Sequence, residues 1–533
     1  MKFTRRKFVQ ASILAGAGQM LFPFKSIGSV RASSYFGLNP FILQNPDAVF
    51  IMQTNVDAKT SSEAIRQAGL HFGHSIFTLT ENANEGIPLT HKVVIKPNLT
   101  CRQRSSSKYS VLGSMGIVTD AFFVEGVIES LKELGIASEQ FFIREVNCPD
   151  DLADGGYPEM AARTGIDLKA IDTPTSQLKP EQIVWKDVPD GVWFNKIPYL
   201  WPVNAPDTWL LNISKFKAHG MGMTLCSKNL QGTIAMNYQA HCTAFGDTMF
   251  GVDPDHIKKT AKSDINNNYL RHKSAGIPRW DKPGSSGGIW METWASRCID
   301  NNSINFAGLH IIEGIYGRNG NFMDGPNPQG LATDFMTNYI IFGRNQFHVD
   351  NIGHYLAGHE PGNFGLFHLA KERGMATTIN PSEIALYEWD ATTGPVLAAL
   401  TGFQRFQLET HYLQRNYAGQ TESKWHLVNE PYDYGTTSVD EVSSSATEFY
   451  MKDIFPNPLH NQGLIRFYVP GNGHVQIDVY SENGQLKKVL FNREIGRGNY
   501  SVDINGTDYP TGLYLVRMQF EGVMKIQKLI VAH

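Results

Sequence analysis

Basic side chains are concentrated in one short stretch, directly behind a segment that is typical of a buried strand. An apolar run at residues 209–213 is followed by Lys215, Lys217 and His219. Gly220 and Gly222 come next, and Lys228 lies six residues after the second glycine. The ends of strands carry the ligand-binding loops of α/β sheets, and glycines let backbone N–H groups approach a ligand closely. The pattern predicts a pocket for an anion such as a carboxylate or a phosphate. The alternative is a solvated, lysine-rich turn.

A second predicted strand ends in the same way and favours the pocket. Residues 92–96 are apolar between two lysines and are followed by Pro97 and Asn98. In a shared site the lysines would bind the anion, His219 would act as the acid–base residue, and two asparagines would donate neutral hydrogen bonds. Glu313 and Asp350, both after predicted strands, are candidates for an opposing acidic wall, as a general base or a metal ligand. The candidate catalytic residues are Lys96, Asn98, Lys217, His219, Lys228, Asn229 and Glu313.

Three other residues form a candidate metal site. Asp350 and His354 are four residues apart and therefore share one face of a predicted helix, and His359 follows Gly358. Imidazole and carboxylate groups at this spacing can bind zinc, iron or nickel. An ordinary amphipathic helix is the alternative interpretation of the same pattern.

Composition excludes several classes of function. The net charge of −4 does not suggest nucleic-acid binding, which usually requires a strongly basic face. Five cysteines are widely spaced within 533 residues and form no C-x-x-C motif, so we expect no cysteine-ligated iron–sulfur cluster. The apolar run at residues 11–24 is too short for a transmembrane helix, so we expect no membrane span.

The elements that must position these residues alternate between strands and helices. Strands are predicted at residues 48–52, 92–96, 140–146, 209–213, 306–313 and 338–342. Helices are predicted at residues 61–72, 121–134, 157–164, 349–357 and 366–373. This alternation predicts a layered α/β domain with a mostly parallel sheet over residues 34–415.

Two segments depart from this alternation. Residues 243–302 are polar, carry Trp280, Trp290 and Trp294, and are predicted to be a long insertion that crosses the surface. Residues 416–447 are polar and Ser-rich, which predicts a linker. Residues 448–533 then contain six short strand patterns, with Asn483 and Gly484 as a hairpin turn, and are predicted to form a small β-sandwich.

The N-terminus has the pattern of an export signal. Arg5 and Arg6 precede Phe8 and a short apolar run, and small residues near position 32 suit a signal peptidase. This arrangement resembles a twin-arginine signal peptide over residues 1–32, which implies the twin-arginine translocase as a partner. The alternative is a basic N-terminal arm. Because that route carries folded proteins, it suggests a cofactor taken up before export.

The last part of the chain resembles the C-terminal sorting domain of type IX secretion substrates. The matching motifs are FPNP at residues 455–458, VYSENG at 479–484, YPTGLY at 509–514 and KLIV at 528–531. The resemblance implies passage through the type IX secretion machinery, removal of the domain, and anchoring at the outer-membrane surface or release. The alternative is a generic carbohydrate-binding-like sandwich.

The α/β region resembles the domain-of-unknown-function family 362 (DUF362). The resemblance rests on motifs spread over most of residues 45–390, and it implies a fold and a set of positions but no reaction. Many members also carry ferredoxin-type segments, which this chain lacks. The matching positions are Lys96 to Asn98, Thr119, Asp120, Asp207, Lys215, Lys217 to His219, Lys228 to Gly232, Glu313, Gly314, Gly317, Arg318, Gly325, Pro326, Val349 and Asp350.

These observations lead to one functional hypothesis and two alternatives. The hypothesis is an exported enzyme that acts on an anionic small molecule or a sugar acid, with or without a metal ion or another cofactor. One alternative is a non-catalytic surface protein that binds a glycan or another ligand through the tryptophans of residues 243–302. The other is a redox or metal carrier in the periplasm or at the cell surface.

Overall fold

The computed structural model describes most of the chain from residue 34 onwards. The predicted signal peptide and most of the predicted linker lie outside the described residues, as do Trp280 and Cys101, Cys148 and Cys242. The described residues are 34–83, 85–99, 115–146, 155–171, 175–219, 222–235, 238, 252–274, 277, 290–411, 425–434, 449–451, 454, 457–459, 462–495 and 498–532.

Sixteen strands precede the C-terminal region within the described residues. They are β1 (Tyr35–Leu38), β2 (Val49–Gln53), β3 (Phe77–Thr80), β4 (Ile87–Pro88), β5 (Lys92–Pro97), β6 (Phe141–Val146), β7 (Asp167–Ile171), β8 (Ile183–Asp187), β9 (Lys196–Leu200), β10 (Thr208–Lys215), β11 (Lys217–His219), β12 (Gly222–Thr224), β13 (Leu309–Asp324), β14 (Leu331–Gly343), β15 (Leu386–Asp390) and β16 (Gly394–Leu397).

Nine α-helices lie among these strands in the described residues. They are α1 (Pro40–Gln44), α2 (Ser62–Ile76), α3 (Ala121–Glu133), α4 (Tyr157–Thr164), α5 (Cys226–Asn229), α6 (Ala261–Ser274), α7 (Trp290–Asn302), α8 (Gln346–Leu356) and α9 (Gly365–Glu372).

Nine strands form one large sheet in the order β16-β15-β2-β14-β13-β10-β5-β6-β7. Five of the eight neighbouring pairs are parallel, and the three antiparallel pairs are β15–β16, β2–β14 and β13–β14. This result confirms an α/β region with a mostly parallel sheet. Alternate residues of β2 enter different hydrophobic cores, Phe50 on one face and Ile51 on the other, so both faces of the sheet are buried. The layered arrangement itself stays a prediction.

Local sequence explains where the site-forming elements begin and end. The Asp120 side chain accepts a hydrogen bond from the backbone N–H of Phe122 and caps α3, which ends just before Gly135 with its positive φ of 105°. The helix predicted at residues 121–134 is therefore confirmed to within one residue. The predicted strand at 209–213 is also confirmed, although β10 extends two residues further, to Lys215.

The largest difference from the predicted elements lies in β13 and β14. The sequence predicts strands at 306–313 and 338–342, whereas the structure has a continuous antiparallel pair of 16 and 13 residues. Glycine usually weakens a strand, but the glycines at 314 and 317 allow close backbone contact here. A Cβ at Gly317 would lie 2.1 Å from the carbonyl oxygen of Phe216.

The C-terminal region is all-β, as predicted, and its described strands form two antiparallel sheets around one buried core. Gly484 has a φ of 76° in the turn that joins two of them, in agreement with the predicted hairpin. The strands are β17 (Tyr450–Met451), β18 (Gln462–Val469), β19 (Gly473–Ser481), β20 (Leu486–Ile495), β21 (Gly498–Asn505), β22 (Gly512–Phe520) and β23 (Val523–Val531).

Candidate functional site

Four neighbouring parallel strands bring charged side chains to one edge of the large sheet. In the order β13-β10-β5-β6, these residues are Glu313, Lys215, Lys96 and Glu145. Glu313 lies directly opposite Lys215 in the strand register. Because parallel strands present their carboxyl ends at the same edge, residues that are far apart in sequence meet here. The structure therefore assembles two adjacent acid–base pairs at the edge where the sequence predicts a ligand pocket.

The first pair joins Lys96 to Glu145 and is buried. The Lys96 ammonium group donates to a Glu145 carboxylate oxygen at 2.6 Å and also to the carbonyl oxygen of Pro97 at 2.6 Å. Lys96 is 1% exposed. A buried charge is tolerated when it is paired and its other donors are satisfied, as they are here. Lys96 therefore neutralises a carboxylate inside the protein, and its position does not match that of a solvent-facing anion receptor.

A chain of amides connects this pair to α5. The side chain of Asn229 accepts from Lys96 at 3.0 Å and from Asn98 at 3.2 Å. Its own amide group donates to the backbone oxygen of Lys96 at 3.0 Å and to the Asn212 side chain at 2.8 Å. The structure thus brings together Lys96, Asn98 and Asn229 as predicted, and it adds Asn212 and Glu145. The hydrogen-bond network fixes the helix that carries Lys228 against the sheet.

The second pair joins Lys215 to Glu313 in the interior. The ammonium nitrogen lies 2.6 Å from a Glu313 oxygen and 3.7 Å from the centre of the Tyr316 ring. Glu313 also accepts from the backbone N–H groups of Asp120 at 3.1 Å and Ile315 at 3.1 Å. Burial raises the pKa of the Glu313 carboxyl, and Lys215 acts in the opposite direction. Tyr316 donates to the Asp120 carboxylate at 2.6 Å, so the pair continues into the cap of α3.

His219 lies beside two cations, in the hairpin that follows β10. It closes β11 opposite Gly222, and Lys217 lies two residues earlier on the same strand. Burial, followed by the charges of Lys228 and Lys217, lowers the pKa of His219 well below its usual value. His219 and Lys228 are partly exposed, whereas Lys217 is buried. The imidazole is therefore in its neutral, basic form at physiological pH, and the neighbouring positive charges make it a weaker base than a free imidazole.

The three predicted metal ligands each have another structural role. The Asp350 carboxylate accepts from the backbone N–H groups of Cys226 at 2.6 Å and Ser227 at 2.8 Å, which anchors the start of α5. His354 donates to the backbone oxygen of Asp350 at 2.8 Å. Both ring nitrogens of His359 are engaged with backbone groups, at 2.7 Å and 3.0 Å. In the part of the chain that the structure describes, no group of three His, Cys, Asp or Glu side chains is placed to hold a metal ion.

The predicted surface insertion is partly wrong. Described residues of the 243–302 segment form α6 and α7, and α7 is buried along most of its length. Trp294 is 5% exposed and packs in a core with Cys298, Phe347 and Phe367. Polar residues of the same helix are buried as well, and Asp300 and Asn302 hydrogen-bond to backbone groups, so polarity misleads here. Trp294 is consequently not available to bind a glycan.

Four residues of the site gain roles that the sequence does not predict: Asp120 and Tyr316 as partners of each other, and Asn212 and Glu145 as partners of the Lys96 cluster. Glu145 offers a usable signal, because it lies at the carboxyl end of a predicted strand, as Lys96 does. Asn212 and Tyr316 offer none, since each lies inside a strand and its role depends on which strands are neighbours.

The comparisons with known proteins agree with two of the domain assignments. Residues 453–532 match the model of the "Secretion system C-terminal sorting domain", which marks a secreted or cell-surface protein and implies the type IX secretion machinery. Residues 93–354 match the model of the "Domain of unknown function (DUF362)". The matched range includes every catalytic candidate named above, and the family model indicates no specific activity. No curated protein matches this sequence.

Two solved structures show weak similarity. Dimeric latent PorU from Porphyromonas gingivalis is 17% identical with a TM-score of 0.14, over 16% of this chain and 9% of that chain. The endo-β-1,4-mannanase from Thermotoga petrophila is 10% identical with a TM-score of 0.15, over 95% of this chain and 99% of that chain. Similarities at this level support no assignment of fold or activity.

Among the described helices, none is both long enough and apolar enough to cross a membrane. The twin-arginine signal lies in the first 32 residues, outside the described part, and stays a prediction.

Proposed function

We propose that this secreted or cell-surface protein is an enzyme that acts on an anionic small molecule, such as a sugar acid. The observation that carries the proposal is the position of His219 beside Lys217 and Lys228, in the hairpin that follows the edge where β5, β6, β10 and β13 assemble their charged residues. A neutral imidazole accepts a proton, and neighbouring ammonium groups favour the negative charge that develops on the substrate.

The two buried ion pairs have a supporting role in this proposal. Lys96 and Lys215 each lie 2.6 Å from a carboxylate and are at most 1% exposed. They hold Asn98, Asn229 and the cap of α3 in place, while Lys228 and His219 provide the partly exposed groups that a substrate could contact. Asn98 and Asn229 are positioned by this network next to the site.

Neither alternative is favoured by a specific observation at this edge. Trp294, one of the three tryptophans on which the glycan-binding alternative depends, lies in the core. The described residues contain no cluster suited to a metal carrier, and the two described cysteines, Cys226 and Cys298, are buried. The enzyme hypothesis is therefore the better supported of the three.

The test separates binding from turnover. The purified protein is titrated calorimetrically with glucuronate, galacturonate and inorganic phosphate, and proton exchange on each sugar acid in D₂O is followed by NMR. We expect Lys228→Met to weaken binding about tenfold. We expect His219→Gln to keep binding but slow exchange by about 10²-fold or more. Lys259→Met, an exposed lysine outside the site, is the matched control and should change neither.

The proposal is wrong if none of the three acids binds saturably, or if His219→Gln exchanges the substrate protons as fast as the unmodified protein.

A further inference from the structure

A cleft of about 530 Å³ lies between α6, α7, α9 and the turn at residues 189–192. This volume suits a small molecule, such as a saccharide of one or two rings. The lining includes Ser296 and Ile299 from α7 and Leu369 from α9, and it contains none of the catalytic candidates named above. The cleft is thus a feature of the fold that the proposed reaction does not use.

Its polar lining offers both hydrogen-bond donors and acceptors. Asp264, Asn267 and Asn268 lie on one side, from successive turns of α6, and Asp190 and Lys258 lie nearby. Asn268 accepts from the Arg271 guanidinium at 3.1 Å through its amide oxygen, so its amide NH₂ group is available as a donor in the described structure. Side-chain amides and carboxylates of this kind form paired hydrogen bonds with neighbouring hydroxyl groups.

One buried hydroxyl group of the lining lacks a partner. Ser296 is 1% exposed, and its Oγ forms no hydrogen bond with any part of the chain that the structure describes. A buried hydroxyl group without a partner is less stable than a hydrogen-bonded one. A ligand hydroxyl that enters the cleft could supply the missing bond.

The charges of the cleft do not select an ion. Asp190 and Asp264 are balanced by Lys258 and Arg373, so the lining carries both signs of charge. Glu372 is already paired with Arg271 at 2.7 Å and with His272 at 2.5 Å. Apolar side chains of Val192, Ile299 and Leu369 complete the wall and can pack against C–H groups of a ring. This mixture fits a neutral polyhydroxylated ligand better than an anion or a flat aromatic molecule.

We propose that this cleft is a binding site for a neutral mono- or disaccharide, separate from the acid–base site. On a protein that is secreted or displayed at the cell surface, such a site would hold the protein on a glycan while the other site acts on its substrate. The proposal does not depend on the proposed reaction. It assigns ligand contact to polar residues of the 243–302 segment in place of the tryptophans.

Two adjacent asparagines provide a matched test. Asn267 lines the cleft, whereas Asn266 is exposed on the same helix and does not. The full-length protein is titrated with cellobiose, lactose, maltose and N,N′-diacetylchitobiose at concentrations up to about 10 mM, and binding is followed by NMR and calorimetry. We expect saturable binding of at least one disaccharide, about tenfold weaker in Asn267→Ala and unchanged in Asn266→Ala.

Two further variants separate this site from the acid–base site. Ser296→Ala should weaken saccharide binding without lowering stability, because its hydroxyl has no partner to lose. His219→Gln should leave saccharide binding unchanged. The proposal is overturned if none of the four disaccharides binds saturably, or if Asn267→Ala and Asn266→Ala bind equally well.

Discussion

The ammonium nitrogen of Lys215 lies 2.6 Å from a carboxylate oxygen of Glu313, and both side chains are fully buried. The two residues are neighbours in register on parallel strands that are almost one hundred residues apart in sequence. Their pairing fixes β10 against β13 and gives Glu313 its only cationic partner among the ion pairs of the described residues.

Replacement of Lys215 by a neutral residue should therefore lower the stability of the folded protein. We expect Lys215→Met to lower the free energy of unfolding by about 3–5 kcal/mol, because Glu313 is left buried and unpaired. The double variant Lys215→Met/Glu313→Gln should recover part of that loss. Chemical denaturation followed by fluorescence measures both.

The exposed pair His74–Glu133, also at 2.6 Å, provides the control. His74→Gln should change the free energy of unfolding by less than about 0.5 kcal/mol, since solvent already screens that pair. Equal losses in Lys215→Met and His74→Gln would contradict the structural role of the buried pair.

Gly232 should tolerate no side chain. A Cβ at this position would lie 2.0 Å from Oε1 of Glu145 and 2.6 Å from Cε of Lys96. Gly232→Ala should therefore displace the Lys96–Glu145 pair and cost about 1–3 kcal/mol. Gly402 is exposed, and a Cβ added there would meet no atom within 4 Å, so Gly402→Ala is the matched control and should be close to neutral. Thermal unfolding of both variants tests this expectation. If Gly232→Ala is as stable as the unmodified protein, the Lys96–Glu145 pair can move to make room for the Cβ.

The sequence predicts which charged residues lie at the edge of the sheet, because a charged residue at the end of a strand is a local pattern. Lys96 and Glu313 lie at the ends of predicted strands, and Lys215 lies two residues beyond one. All three lie on strands of the structure, although β13 continues past Glu313 to Asp324. The identity of each partner is not predictable, because pairing depends on strand order. β10 lies between β5 and β13 in space, and nothing local to residues 208–215 encodes that position.

Burial is the second quantity that the sequence does not provide. The pattern of lysines around residue 215 predicts a solvent-facing anion pocket, whereas Lys96 and Lys215 are neutralised inside the protein. Conversely, the polar composition of α7 predicts a surface segment, although its polar residues are buried and some of them are hydrogen-bonded inside the protein. The Asp300 carboxylate, for example, accepts from three backbone N–H groups at 2.7–2.9 Å. Hydrogen bonding within the core makes such polarity possible, and composition alone does not reveal it.

The two described cysteines should resist modification in the native protein. Cys226 and Cys298 are buried, and burial raises the pKa of Cys298 to about 12. A thiol reacts as its thiolate, which is scarce at such a pKa. We expect iodoacetamide at pH 8 to leave both residues unmodified in the native state and to alkylate both in guanidinium, as peptide mass spectrometry will show. Alkylation of Cys226 at the same rate in both states would mean that the region around α5 opens readily.

Acid should destabilise the protein through the buried histidines next to α8. Burial lowers the pKa of His354 to about 4 and that of His359 to about 3. In the unfolded chain both take up a proton near pH 6.5. Between these values the unfolded state holds more protons, so the free energy of unfolding should fall as the pH drops from about 6.5 towards 4.

Asp350 partly opposes this effect. Burial raises the pKa of its carboxyl to about 6, so below that pH the folded state takes up a proton that the unfolded chain, with a pKa near 3.8, does not yet bind. Two histidines outweigh one aspartate, and the net slope should still be a loss of stability in acid.

Urea denaturation at several pH values between about 4 and 8 tests this expectation. His359→Phe removes one titrating group, and its free energy of unfolding should depend less steeply on pH, by about one proton at most. Gly402→Ala, which neither adds nor removes a titratable group, is the control and should leave the slope unchanged. If His359→Phe and the unmodified protein lose stability with the same slope, His359 is not held neutral by the fold and the structural role assigned to it is incorrect.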